Sequence, residues 1–136
     1  MPETLSRTTP IPITRTRVIP LPSAQMPLSR CMDQIAHQLD EFGIDTSSLH
    51  EVSQRLDLLT EQVRDAQCRK NTDAIPPLLK KAAMTMKEAG VILKMLIMVE
   101  RGRIPPEVVE HLTRIRLYND QTLADTILLL DAMKAP

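Results

Sequence analysis

The stretch IPPLLKKAAMTMKEAGVILKMLIMVER, running from Ile75 to Arg101, decides the fold of this 136-residue chain. Proline has no backbone donor and clashes with the preceding turn, so a Pro-Pro pair followed by a long proline-free run reads as a helix with proline in its first turn. The same opening recurs at Ile104-Pro105-Pro106-Glu107, and Gly102 between the two is placed to close the first of them. Of the eleven prolines, six lie at or before Pro27, four form these two pairs, and the last is Pro136. Residues 28–75 and 78–104 are therefore free to be helical. Three glycines, one phenylalanine and one tyrosine leave little material for strands, which favour aromatic and β-branched residues bounded by turn dipeptides.

Outward from that stretch, apolar residues recur at the 3 and 4 spacings of helix packing. Leu28, Met32, Ile35, Leu39 and Phe42 mark a first helix from Pro27 to Phe42, and Gly43 is suited to a left-handed cap. Ser48-Leu49-His50-Glu51 matches a capping box, ahead of the stripe Leu49, Val52, Leu56, Leu59, Val63 and Ala66 in a second helix that fades at Arg69-Lys70-Asn71. After the second Pro-Pro start, Val108, Leu112 and Ile115 lead to Asn119, and Leu123, Ile127, Leu130 and Met133 resume the stripe. Asn119-Asp120 reads first as the end of one helix and the cap of the next; the alternative is one long helix with a polar residue in its seam. Either way the expectation is an all-α, antiparallel bundle of four or five helices over residues 27–136. It is preceded by a disordered Pro/Thr/Arg-rich arm, residues 1–26, in which Thr9-Pro10-Ile11-Pro12 and Val18-Ile19-Pro20-Leu21-Pro22 lean towards polyproline structure.

Charge and composition exclude several functions. The formal net charge is zero. Bases outnumber acids by three to one in residues 1–26, trail them by five to eight in 27–71, and exceed them by nine to eight in 72–136. A balanced domain with two aromatic residues offers neither a phosphate-binding footprint nor stacking platforms, so nucleic acid is not the expected partner. The longest apolar run, Ala89 to Val99, is too short to span a bilayer and contains Lys94. Cys31 and Cys68 lack a CxxC spacing and would sit about 12 Å out of register across a helical hairpin, so both read as free thiols of the cytoplasm or another reducing compartment. Arg7, Arg15 and Arg17 partly match a mitochondrial presequence, but the prolines of the arm would break its helix.

No chemistry-bearing constellation emerges. Gly43, Gly90 and Gly102 are isolated and form no phosphate loop. His37, His50 and His111 read as solitary, and neither cysteine has a neighbouring base. No catalytic, cofactor-binding or metal-ligating residue is predicted, and no small-molecule substrate or enzymatic activity.

The third helix is the exception, because it is more apolar than one stripe requires. On a helical wheel Leu79, Ala83, Met86, Gly90, Leu93 and Ile97 fall within about 40° of one direction, as a core face should, with Leu96 about 100° to one side of it. Met84, Val91, Met95 and Met98 cluster roughly 100° to 160° away, and Ile92 and Val99 extend the apolar surface to about 220°. That second surface is either buried as the centre of the chain's own bundle or an interface with another protein or a second copy of the chain. Methionine suits such an interface, being unbranched and polarizable. The expected function is a non-enzymatic protein–protein interaction module, an adaptor or assembly subunit that binds through apolar helix faces, with the arm as a further docking element. Two alternatives remain open. One is a component of a protein-export pathway, suggested by the acid-poor head. The other is a nucleic-acid-associated regulator, resting on Arg15, Arg17 and the set Arg101, Arg103, Arg114 and Arg116.

Overall fold

In the computed structural model, residues 27–134 are described, and they form four α-helices: α1 (Leu28–Asp40), α2 (Ser47–Cys68), α3 (Ile75–Glu100) and α4 (Pro106–Lys134). Single 3-10 turns, Thr72–Ala74 and Arg101–Arg103, precede α3 and α4. No strand occurs among the described residues. The expected arm, residues 1–26, lies outside them.

The four helices form an antiparallel ring: α2 packs on α1 and α3, α3 on α4, and α4 closes back on α1. Cross-helix bonds register the antiparallel pairs, with the Ser53 hydroxyl donating to the Ser29 carbonyl at 2.8 Å, Arg55 reaching Glu88 at 3.0 Å and Asn119 reaching the Met86 carbonyl at 2.9 Å. The core is aliphatic. Met32, Ile35 and Leu39 of α1 meet Leu49 and Val52 of α2, Leu93 of α3, and Val108, Leu112 and Ile115 of α4. Ile44 and Ile104, from the two connections at the same end, complete it. Burial of such side chains contributes about 1.5–3 kcal/mol each and is the main force holding the ring together.

The lengths are unequal, 13 residues for α1 against 22, 26 and 29 for the others. One end of the bundle therefore has four helices and the other has three. Beyond the start of α1 a half-open cavity of about 340 Å³ remains, lined by Leu56, Leu59 and Val63 of α2, Leu79 of α3, and Tyr118 and Thr126 of α4. For the same reason the stripe of α4 loses cover after Asn119: Leu123 and Leu130 are half-buried and Ile127 is exposed.

Local signals act as expected in some places and differently in others. Gly43 takes φ +75° and ends α1 in a Schellman turn, its N–H donating to the Asp40 carbonyl and that of Ile44 to the Leu39 carbonyl. Phe42 is thereby placed in the turn rather than in the α1 stripe, and it is exposed. The capping box is not used: α2 begins at Ser47, so Ser48 lies within the helix. The Thr46 hydroxyl turns instead to Asp40, and Asp45 accepts the Ser47 N–H at 3.1 Å as an Asx turn. Gly102 does not supply a left-handed cap to α3; it sits in the 3-10 turn with negative φ. Ile104, held extended by Pro105, ends that turn before α4 begins. Residues 106–134 are one helix, so the break expected at Asn119-Asp120 does not occur. The Asn119 side chain is fully buried, and its Nδ2 donates across the bundle to the Met86 carbonyl rather than serving a local cap.

Candidate functional site

α3 contributes Ala82, Met86, Ala89, Leu93 and Ile97 to the core, which fixes the rotation of the whole helix. A ring of four helices has no centre for a fifth, so each member keeps one side towards solvent. On α3 that side carries Met84, Val91, Met95, Met98 and Val99, each between 54% and 68% exposed. The reading in which α3 is surrounded by its own bundle is therefore corrected. Ile92 alone of the six residues singled out is half-buried, packed against the core at the edge of the face.

From Val91 to Val99 the outer face is apolar except for Lys94, which stands on its border. Lys80, Lys87 and Lys94 recur at i, i+7, so they line one edge of the face as a basic row. None of the three forms an ion pair with a described residue. Beside this edge a shallow groove of about 360 Å³ runs between α3 and α4, lined by Lys87, Gly90, Val91 and Lys94 on one side and Arg116, Asp120 and Leu123 on the other. This border was not among the sequence expectations, although the seven-residue spacing of the lysines carries it. Glu88, on the other side, is held by Arg55 of α2.

Candidate chemistry elsewhere is sparse. Burial raises the Cys31 thiol above its ordinary value, which disfavours the thiolate, while Cys68 is exposed. Burial pushes the His111 imidazole down, and its Nδ1 has no hydrogen-bond partner among the described residues. The arginine set proposed for nucleic acid is partly neutralised, with Arg103 on Glu100 at 2.8 Å and Arg114 on Glu110 at 2.6 Å. His37 and His50 do not stand alone as expected: their ring centroids lie 4.9 Å apart. Partial burial pulls the His50 pKa down, but hydrogen bonds with Asp40 and Asp33 outweigh it and the net shift is upwards. The Thr46 hydroxyl, followed by His50, holds the Asp40 carboxyl below its usual range.

These features define an all-α four-helix bundle with an apolar, basic-edged outer face on its third helix. No described helix is long and apolar enough to cross a membrane. Comparison with known proteins finds no family model, no curated protein and no solved structure that matches the chain.

Proposed function

We propose that the chain is a non-enzymatic protein–protein interaction module that takes an amphipathic helix of another protein on the outer face of α3. The supporting observation is the exposure of Val91, Met95, Met98 and Val99 as one apolar surface, extended by Met84. Exposed apolar side chains scattered singly are ordinary; a contiguous set along two turns marks a contact surface.

Covering these five side chains contributes roughly 1 to 2 kcal/mol each, given that about two-fifths of each is already buried. The sum is comparable to the 4 kcal/mol or more that association costs in lost freedom, so apolar contact needs support from the rim. The lysine edge supplies it and selects the partner. An antiparallel pair of identical faces sets like edges against each other and would confront Lys87 and Lys94 with their own copies. A helix with an acidic edge is accommodated instead, and charge complementarity raises both specificity and association rate.

Panning amphipathic helical peptides against the full chain is expected to select apolar faces bordered by Asp or Glu. Val91→Glu with Met95→Glu is expected to abolish binding with little change in melting temperature, because both positions face solvent. Leu93→Ala, on the buried side, should instead cost about 2–5 kcal/mol. Selected helices that bind the folded double variant as tightly as the wild type would overturn the proposal. So would a wild-type dimer in light scattering that the double variant dissolves, since the face would then belong to a second copy.

A further inference from the structure

Asp33 and His37 lie four residues apart on α1 and therefore share one face. The Schellman turn at Gly43 and the Asx turn at Asp45 bring the first turn of α2 back beside that face, and His50 arrives between them. His50 Nδ1 is 3.2 Å from Asp33 Oδ1, and His37 Nε2 is 3.4 Å from Asp33 Oδ2. One ligand atom from each of the three residues lies within 4.8 Å of the others. With metal–nitrogen and metal–oxygen bonds of about 2.0 to 2.1 Å, the edge of a zinc tetrahedron is about 3.3 to 3.4 Å. The two contacts end on different oxygens of Asp33, so a carboxylate binding through one oxygen supplies one edge close to that length, and the remaining ligand atoms, all within 4.8 Å, close on the ion by small side-chain rotations.

The surroundings add a second, independent indication. The remaining nitrogen of His50, Nε2, is 3.2 Å from Asp40 Oδ2, and the other oxygen of Asp40 accepts the hydroxyl of buried Thr46. A metal-bound imidazole characteristically donates its other N–H to a carboxylate, which fixes its tautomer and raises its basicity. With Nε2–H committed to Asp40, the Nδ1 lone pair of His50 is directed at the Asp33–His37 pair. Metal binding requires the imidazoles to be neutral, so uptake of a divalent ion at this position weakens as pH falls.

We infer that Asp33, His37 and His50 form a binding site for a divalent transition ion, Zn²⁺ foremost, with Asp40 and Thr46 orienting His50. Two imidazoles and one carboxylate suit Zn²⁺, Co²⁺ or Ni²⁺, whereas Ca²⁺ and Mg²⁺ require shells of oxygen. Three protein ligands leave a fourth position for water. The His37 side chain is 68% exposed, so the site opens to solvent and exchanges its ion readily. Because two ligands come from α1 and one from α2, the ion fastens the hairpin that carries the core of α1.

The test uses the full chain with Cys68→Ser, which removes the exposed thiol as a competing ligand. Co²⁺ titration should saturate at one ion per chain with the intense visible bands of tetrahedral cobalt. Zn²⁺ should displace the cobalt and raise the melting temperature. His37→Ala should abolish the bands and the thermal shift while leaving the metal-free melting temperature unchanged, since His37 is exposed. Asp40→Asn should keep the bands but weaken binding by roughly 10- to 100-fold. Absence of saturable cobalt uptake, or equal uptake with and without His37→Ala in the Cys68→Ser chain, would overturn the site.

Discussion

Asn119 carries the most consequential polar atoms in the core. Its Nδ2 donates to the Met86 carbonyl at 2.9 Å, its Oδ1 has no partner among the described residues, and the side chain is fully buried. It lies against Gly90, where a Cβ would stand in ordinary contact at 3.4 Å from Nδ2. A buried unpaired acceptor costs about 1–3 kcal/mol, so the residue sets the register of α3 on α4 more than it adds stability. Asn119→Asp tests this, because a carboxyl fits the same space and, when protonated, can donate to Met86 as the amide does. Burial raises the pKa of such an aspartate in the folded state above its unfolded value of about 3.9. The sign follows: stability is retained below the unfolded pKa and lost as pH rises through the folded one. The gap between variant and wild type in urea unfolding should be small near pH 4 and grow to the order of 3 kcal/mol at neutral pH. A gap independent of pH would place the side chain in water.

At the scale of the elements, the helix starts marked by paired prolines were the most legible part of the chain, and the polar capping signals the least. Pro76-Pro77 and Pro105-Pro106 mark the openings of α3 and α4 because proline is compatible only with a first turn. The stripe of α2 from Leu49 to Leu59 is buried as its spacing requires. Asn119-Asp120 misleads because the carbonyl that accepts from Asn119 Nδ2 is 33 residues away, on a helix whose register no local pattern reveals. Ser48 and Glu51 mislead because Thr46 and Asp45 fold the preceding turn first. The end of α2 carries no glycine, yet it forms a Schellman turn: Lys70 takes φ 57°, and the Asn71 N–H donates to the Ala66 carbonyl at 2.9 Å. A non-glycine residue there is strained. Lys70→Gly should therefore stabilise the chain by about 1 kcal/mol in urea unfolding, less the extra entropy glycine gives the unfolded chain. A loss of stability would mean that the Lys70 side chain makes contacts that outweigh the strain.

For the whole molecule, the surplus apolar surface of α3 was legible as an angle on a wheel, but its fate was not. A helical pattern gives directions, whereas the number of neighbours depends on how the helices close, and a ring of four leaves the second face of α3 outside. The cluster of His37 and His50 was hidden for a related reason, since its distances exist only once the Gly43 turn has set α2 against α1. The proposed association face can be followed through the chain's own methionines, which sample both environments. Met32 and Met86 are buried, Met84, Met95 and Met98 lie on the face, and Met133 is exposed at the far end of α4. The most direct measurement is the methyl spectrum of the full chain, ¹³C-labelled at methionine, recorded with a soluble paramagnetic agent, free and saturated with a selected acidic-edged helix. The account predicts that Met84, Met95 and Met98 are broadened in the free chain and protected in the complex, while Met133 is broadened in both. Met95 and Met98 signals that stay equally broadened at saturation would contradict it.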